Sequence, residues 1–155
     1  MATTIVEATE ELIPELVASV GALFAEDGAR HDPRMDADWP RRHGAEYYGP
    51  MRDQGDLCLL ARVDGVPAGH LVGRVRTSDI RPGARIAALE SMQVFEPFRR
   101  AGVGSALVAE FFAWADRSNA TEFRVTAFSA NERAIAFYRA HGFEPFELTL
   151  HRLTS

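Results

Sequence analysis

Residues 95–107 place two glycines, Gly102 and Gly104, between a β-like run and a helical pattern. An apolar run ends at Phe95, and beyond Ala101 the apolar residues recur at helical spacing. The first turn of a helix has N–H groups without intrahelical acceptors, and the helix dipole adds positive potential there. Glycines let an anion approach that backbone, and Arg99 and Arg100 add positive charge. The segment predicts an anion-binding turn, with a merely tight strand–helix connection as the alternative.

The chain has 155 residues, which is the length of one domain, so we expect a single domain over residues 1–155. With 46% hydrophobic and 25% charged residues it is typical of a globular protein whose core needs no disulfide or metal. Cys58 is the only cysteine, which excludes an intramolecular disulfide and a multi-cysteine metal site. No apolar run has the length of a membrane span, and the acidic N-terminal segment does not resemble a signal peptide. We therefore expect a cytoplasmic protein with no membrane partner.

The charged residues exclude further classes. All 17 basic residues are arginine, which excludes a catalytic lysine and a Walker phosphate loop. A dinucleotide fingerprint is disfavoured because Leu107 stands where a third small residue is needed. The net charge of -5 argues against nucleic acid as a partner. Residues 1–78 carry the whole acidic excess, either as a solvated surface or as a surface that attracts a cationic substrate.

The hydrophobic pattern predicts ten elements in the order β-α-α-β-β-β-α-β-α-β. The strands are expected at 3–7, 57–63, 66–75, 86–95, 123–128 and 143–152, and the helices at 9–27, 38–48, 101–118 and 131–141. Asp64 and Gly65 suit a type I′ hairpin turn. The three middle strands should be antiparallel, and the later strand–helix–strand passage should be a parallel crossover. The fold class is therefore α/β, with a mixed, mostly antiparallel central sheet and helices on both faces.

Two motifs resemble those of the GCN5-related N-acetyltransferase (GNAT) family. Arg99-x-x-Gly102-x-Gly104 matches the signature Q/R-x-x-G-x-G/A. Residues 131–143 match the second motif, N-x-x-A-x-x-F-Y-x-x-x-G-F, in the family's order and spacing. The resemblance implies the GNAT fold, acetyl-CoA or a close acyl-CoA as donor, and an amine as acceptor. No metal is expected, because the sequence shows no recognised ligand spacing.

The same resemblance implies a CoA site around the glycine turn. The pyrophosphate would lie on the turn, and the pantetheine arm would lie along the end of the strand before it. The residues implied in cofactor binding are Met92, Gln93, Val94, Arg99, Arg100, Ala101, Gly102, Val103, Gly104, Ser105 and Asn131. Met92, Gln93 and Val94 would contribute backbone groups, and Arg99 would anchor the turn. The N–H of Val94 would bind the acetyl carbonyl and stabilise negative charge on its oxygen.

Tyr138 and Glu90 are the catalytic candidates. Tyr138 lies seven residues after Asn131, on the same helix face, and its phenol would protonate the departing thiolate; a core tyrosine is the alternative. Glu90 is an isolated acid in an apolar strand, which is costly unless the side chain is exposed or functional. The resemblance implies that it accepts the amine proton through water; a solvent-facing residue is the alternative. Strand alternation predicts that Glu90 shares a face with Met92 and Val94.

The acceptor pocket is expected from the first two helices and their loop. That region contains His31, Asp32, Arg34, Asp36, Asp38, Trp39, His43, Tyr47 and Tyr48. Acids and aromatic rings can hold an ammonium group, but ordinary loop polarity with packing anchors is an equally open interpretation, and no metal-ligand spacing is present.

We expect direct attack by a small-molecule or peptide amine, since no covalent-catalysis constellation is evident. The alternative function is a non-catalytic acyl-CoA-binding sensor or interaction module. A homodimer is a further expectation from the resemblance, which no residue decides.

Overall fold

A computed structural model describes residues 2–154. Five strands form one sheet in chain order, with β1 to β4 antiparallel and β5 parallel to β4. The strands are β1 (Thr3–Glu7), β2 (Leu57–Val63), β3 (Val66–Thr77), β4 (Arg85–Val94) and β5 (Glu122–Val125). The helices are α1 (Ile13–Arg30), α2 (Trp39–Tyr48), α3 (Val103–Arg117) and α4 (Glu132–Ala140). The predicted mixed α/β class, its antiparallel middle strands and its parallel crossover through α3 are confirmed.

Each face of the sheet carries its own apolar core. One core lies under α1 and α2 and includes Leu16, Val20, Met51, Leu60 and Val72. The other lies under α3 and α4 and includes Leu71, Leu89, Leu107, Phe111 and Trp114. Side chains alternate between the two faces of a strand, so the consecutive residues Leu71 and Val72 pack into opposite cores. Burying each such side chain contributes about 1.5–3 kcal/mol.

Local signals position two of the connections. Asp64 and Gly65 both have positive φ, 49° and 80°, as a type I′ turn between β2 and β3 requires. Asn131 caps α4, its side-chain oxygen accepting a hydrogen bond from the Ala134 amide at 3.2 Å. The helix α1 continues past its predicted end to Arg30, which pairs with Glu26 one turn earlier.

The predicted sixth strand over residues 143–152 is wrong. Phe143 packs against Tyr138 and Phe112, but no regular secondary structure follows it up to residue 154. The alternation of Phe146, Leu148 and Leu150 supplied the strand signal, but alternation specifies a face and not a partner. A strand also needs a neighbouring edge to bond with, and the chain's own sheet does not pair with this segment. The strand β5 is also shorter than predicted, ending at Val125.

No helix between residues 2 and 154 has both the length and the apolar character that crossing a membrane would require.

Candidate active site

A bulge in β4 decides where Glu90 lies. Val72 pairs with Ser91 and Gly73 pairs with Leu89, so Glu90 is an extra residue without a partner on β3. A bulge of this kind places two consecutive side chains on one side of the strand. Ser91 meets His70 on the α1/α2 face, and Glu90 turns to the same face.

The predicted orientation of Glu90 is therefore wrong. Met92 and Val94 pack into the α3/α4 core, whereas Glu90 lies on the opposite face of the sheet and accepts a hydrogen bond from Tyr47 of α2. Simple alternation gave the opposite answer because it assumes an uninterrupted period of two, and the bulge inserts one residue into that period.

The strands β4 and β5 separate beyond Leu89 and Val125, which form their last pair. The strand β4 continues to Val94 with only β3 as its neighbour, so residues 90–94 have an open edge. The Phe95 amide donates to Ala68 of β3 at 2.9 Å. Successive backbone groups point to opposite edges of a strand, so the N–H and C=O of Val94 point into this open edge.

The backbone of Gln93 points away from the open edge. Its carbonyl faces Gly69 of β3 so closely that a Cβ on Gly69 would lie 2.0 Å from the carbonyl oxygen. Its side-chain amide donates to Glu26 of α1 at 3.1 Å. The expected backbone contact of Gln93 with a pantetheine arm therefore disagrees with the strand geometry, because only alternate residues present their amides to the gap. Met92 and Val94 are the residues whose backbone N–H and C=O groups point into the gap.

The glycine turn exposes its amides. Within the described chain, none of the N–H groups of residues 100–105 donates a hydrogen bond, and the first intrahelical bond runs from Ala106 to Gly102 at 3.0 Å. Arg100 and Gly102 have positive φ, 65° and 83°, which curls the backbone before α3 begins. These amides lie at the positive end of a 15-residue helix, which is an arrangement suited to a diphosphate.

Three elements converge on this turn. A Cβ on Gly104 would lie 3.1 Å from the ring of Phe137 on α4 and 3.8 Å from Val94 at the end of β4. Gly104 therefore allows α3, α4 and β4 to approach one another, and Asn131 begins the α4 helix that supplies Phe137.

Arg99 is held on both sides and does not extend freely into solvent. Its Nε donates to the Val94 carbonyl at 2.7 Å, and its terminal nitrogen donates to the Glu26 carboxylate at 2.7 Å. Burial alone would raise the pKa of Glu26, but hydrogen bonds from Arg99 and Gln93 outweigh it, and the pKa lies below its ordinary value. Arg99 thereby ties the exit of β4 to α1. Glu26 was absent from the sequence expectations because it lies 73 residues from Arg99 and no local pattern links them.

Tyr138 presents a hydroxyl without a protein partner. Its ring is 9% exposed and packs edge-on against Phe137 and Phe143. Within residues 2–154 its hydroxyl makes no hydrogen bond, so that group is available to a bound molecule. Burial and, after it, the negative charge of Asp27 raise the pKa of Tyr138 to about 12. The phenol is therefore protonated at neutral pH, as a proton donor must be.

Glu90 uses one of its two oxygens within the protein. Oε1 accepts hydrogen bonds from the Tyr47 hydroxyl at 2.9 Å and from Arg76 at 3.3 Å, with Arg74 at 3.9 Å. Oε2 has no hydrogen-bond partner among the described residues. Burial and then the hydrogen bond to Glu90 raise the pKa of Tyr47. The carboxylate is held in place with one oxygen left to meet water or an amine.

An aromatic cavity lies beside Tyr47. It has a volume of about 360 Å³ and is lined by Trp39, His43, Glu46 and Tyr47 of α2. The Trp39 ring meets Tyr47 edge-on at 5.4 Å. Glu46 forms no ion pair within the part of the chain that the structure describes.

The other residues expected in an acceptor pocket serve the fold. Asp36 pairs with Arg42, and Asp38 accepts two hydrogen bonds from Arg41, at 2.7 and 2.6 Å. The remaining expected residues are used as follows: His31 stacks on Phe128 at 5.1 Å, Asp32 accepts from the Arg34 amide, and Tyr48 is buried in the α1/α2 core. Of that set, Trp39, His43 and Tyr47 are the residues that line the described cavity. Over residues 2–154 no group of three or more His, Cys, Asp or Glu side chains is arranged to hold a metal ion.

Comparison with known proteins identifies the family. A family model described as the acetyltransferase (GNAT) family matches residues 22–143. The chain belongs to the GNAT family. The resemblance predicted from two motifs is confirmed, and the protein is an acetyl-CoA-dependent N-acetyltransferase of the GNAT type that transfers acetyl to an amine.

Solved structures share the GNAT fold at low sequence identity. The aminoglycoside acetyltransferase AAC(6')-Iy, solved with a bisubstrate analogue, is 18% identical with a TM-score of 0.77, covering 100% of this chain and 99% of its own. A putative acetyl transferase from Pyrococcus furiosus is 20% identical with a TM-score of 0.77, covering 99% and 100%. The aminoglycoside 6'-N-acetyltransferase AAC(6')-IG from Acinetobacter haemolyticus is 21% identical with a TM-score of 0.73, covering 98% of both chains. A search of curated proteins gives no match.

Proposed function

We propose that this GNAT acetyltransferase moves the acetyl group by direct attack of a small-molecule primary amine on acetyl-CoA. The observation that carries the proposal is the set of unpartnered amides at residues 100–105, next to the open edge of β4 at residues 90–94. A diphosphate and an extended thioester arm need such a pair of features side by side.

Backbone groups would hold the donor. The amides of Arg100, Ala101, Gly102, Val103, Gly104 and Ser105 would bind the pyrophosphate at the start of α3. The open edge of β4 would bond the pantetheine arm through Met92 and Val94, and Asn131 would border the arm from α4. Arg99 would stabilise the position of the turn, since its guanidinium donates to the Val94 carbonyl and to the Glu26 carboxylate.

Three groups would act on the reaction. The Val94 N–H would stabilise negative charge that develops on the acetyl oxygen as the amine nitrogen bonds to the carbonyl carbon. Tyr138 would donate its proton to the sulfur as the carbon–sulfur bond breaks. Glu90 would accept the amine proton through water, using the Oε2 atom that the protein leaves without a partner.

The acceptor would enter from the α1/α2 side. The aromatic cavity lies on the same face of the sheet as Glu90. Tyr47 links the two, because it lines the cavity and donates a hydrogen bond to Glu90. Aromatic faces and a free carboxylate favour a cationic amine. The aminoglycoside acetyltransferases among the structural neighbours support a small polyamine or amino sugar as the first class to test.

Release of free CoA thiol tests the proposal. The protein would be mixed with acetyl-CoA and, separately, an aminoglycoside, a linear polyamine and a peptide with a free amino terminus. We expect amine-dependent thiol release with a small-molecule class. Binding of acetyl-CoA without turnover on any amine would contradict the proposal and favour the sensor interpretation.

Replacing Glu90 tests its role as the base. Glu90→Gln should lower kcat at neutral pH, and the loss should shrink at higher pH because more of the amine is then already deprotonated. The matched control is Glu7→Gln. It removes an exposed carboxylate of β1 that pairs with Arg52, and it should leave turnover unchanged. A loss in Glu90→Gln that is equal at every pH would assign Glu90 to orienting Tyr47 instead.

A further inference from the structure

We propose that His70 and Ser91 are positioning residues for the acetyl transfer, because the hydrogen bond between them fixes the β4 bulge that carries Glu90. The inference rests on the proposed function, in which Glu90 is the base. It starts from a buried imidazole to which the proposed reaction assigns no step.

The His70 imidazole lies at the centre of a buried polar cluster. The residue is 0% exposed, and each of its ring nitrogens has a side-chain partner. Nδ1 lies 2.5 Å from the Ser19 hydroxyl of α1, and Nε2 lies 2.7 Å from the Ser91 hydroxyl of β4. A buried polar cluster whose members are all bonded is rigid, because a member that moves leaves another without its hydrogen bond. His70 thus connects β4 to α1 in one defined arrangement.

The spacing of Ser91 and His70 is also that of a nucleophile and its general base, but burial excludes this role. Burial lowers the pKa of His70 to about 3, so the imidazole is a weak base at neutral pH. A serine hydroxyl needs an effective base to become a nucleophile. No covalent step is therefore assigned to Ser91, and its bond to His70 is a structural contact.

The bulge is fixed by the residues on its two sides. Residues two apart on a regular strand point to the same face of the sheet. Leu89 packs into the α3/α4 core, whereas Ser91 bonds to His70 on the opposite face. These two residues lie on opposite faces because the extra residue of the bulge, Glu90, stands between them. The His70–Ser91 bond therefore determines where along β4 the bulge lies.

The place of the bulge decides the place of the Glu90 carboxylate. In the observed arrangement the carboxylate accepts hydrogen bonds from Tyr47 at 2.9 Å and from Arg76 at 3.3 Å. Without the Ser91 bond, β4 can pair regularly past Glu90 and insert its extra residue later. This moves the carboxylate along the strand by up to one residue rise, about 3.4 Å. Such a displacement breaks both hydrogen bonds and misplaces the base relative to the amine.

Ser91→Ala tests the positioning role more safely than a change of His70, because it leaves the buried ring in place. We expect kcat to fall by about tenfold, since the base is misplaced. The loss should shrink at higher pH, as in Glu90→Gln, because a deprotonated amine needs no base. The affinity for acetyl-CoA, measured by calorimetric titration, should change little because the glycine turn is untouched. Ser91→Thr keeps the hydroxyl and should restore kcat.

The matched control is Thr121→Val. It removes a hydroxyl that accepts a hydrogen bond from the Arg85 amide at 3.0 Å, at the opposite end of β4. The thermal midpoint should fall in this variant, as in Ser91→Ala, but kcat should stay at the wild-type value. A fall in kcat that simply follows the loss of stability in both variants would assign Ser91 to folding alone and overturn the proposal.

A double-mutant cycle separates this inference from the function on which it rests. If Ser91 acts through Glu90, Ser91→Ala should change kcat little in a Glu90→Gln background. Equal fold losses in both backgrounds, or a wild-type kcat in Ser91→Ala beside an impaired Glu90→Gln, would overturn the positioning role and leave the base in place. A wild-type kcat in Glu90→Gln would instead contradict the base itself, and the positioning role with it.

Discussion

At the scale of single residues, Tyr138 combines a buried ring with a hydroxyl that the protein does not use. The ring belongs to the α3/α4 core, so its position is fixed by packing against Phe137 and Phe143. The hydroxyl makes no bond within the described chain, so its removal should affect chemistry more than folding. These two properties separate the roles of ring and hydroxyl in one side chain.

Tyr138→Phe should lower kcat by roughly 100-fold, because a proton donor to the leaving thiolate is lost. The thermal midpoint and the affinity for acetyl-CoA should change little, since the ring remains. Thiol release gives kcat, and calorimetric titration with CoA gives the affinity. Tyr48→Phe is the control, since it removes a hydroxyl from a buried tyrosine in the opposite core. Equal losses of kcat in the two variants would remove Tyr138 from the mechanism.

His70 should make stability depend on pH. It is buried between Ser19 of α1 at 2.5 Å and Ser91 of β4 at 2.7 Å, and burial lowers its pKa to about 3 from an ordinary 6.5. The unfolded chain therefore binds a proton between these two values that the folded chain does not. Stability should fall as the pH drops below 6.5, by about 2 kcal/mol at pH 5.

Urea unfolding at pH 7.5 and pH 5 measures this loss. His70→Gln should be less stable at pH 7.5, because the Ser19 and Ser91 contacts change, but it should lack this part of the pH dependence. The same pH dependence in the variant would assign it to other groups.

At the scale of elements, the glycine turn and the end of β4 together form the proposed donor site. The turn was predictable from the sequence because strand end, Gly102, Gly104 and helix start are contiguous, and helix geometry alone leaves those amides without acceptors. The open edge of β4 was implied by the family resemblance but had no local signal, since it depends on β5 ending at Val125. The bulge that turns Glu90 to the α1/α2 face depends likewise on pairing with β3.

Gly102 and Gly83 have the same backbone conformation, so alanine variants at the two positions distinguish a loss of ligand binding from backbone strain. Gly102 and Gly83 have φ of 83° and 81°, and a Cβ at either would meet no atom within 4 Å. Gly102→Ala and Gly83→Ala should each lose about 1 kcal/mol of stability, since an L residue is strained at this φ. Only Gly102→Ala should also weaken acetyl-CoA binding, because its methyl group would lie in the turn that is proposed to hold the diphosphate. Titration calorimetry of both variants compares the affinities, and equal affinities would place the diphosphate elsewhere.

At the scale of the whole molecule, the proposed donor site links elements that lie in different layers of the fold. The turn before α3 and Tyr138 of α4 lie on one face of the sheet, whereas Glu26 of α1 supports Arg99 from the other. A ligand bound across these elements stabilises the folded chain as a unit, because the unfolded chain has no assembled site.

Acetyl-CoA should therefore raise the thermal midpoint. At about 100 times its Kd the ligand adds about 2.7 kcal/mol, which corresponds to roughly 5–10 °C for a domain of this length. NAD and ATP are the controls, and a shift with either that matches acetyl-CoA would indicate a general nucleotide site. Scanning calorimetry or dye-based unfolding with the three ligands makes the comparison.

The sequence by itself determined the α/β class, the type I′ hairpin, the Asn131 cap and the glycine turn, because each depends on residues that are neighbours in the chain. Only the tertiary structure decided which face Glu90 occupies, which backbone amides reach the gap, that Glu26 binds Arg99, and that the apolar segment at residues 144–153 pairs with no strand of its own sheet. These features depend on which segments pair and over how many residues. Pairing is a joint property of two segments that are distant in the sequence. A periodic pattern describes one segment, so it predicts the faces that need burial but leaves open which partner covers them.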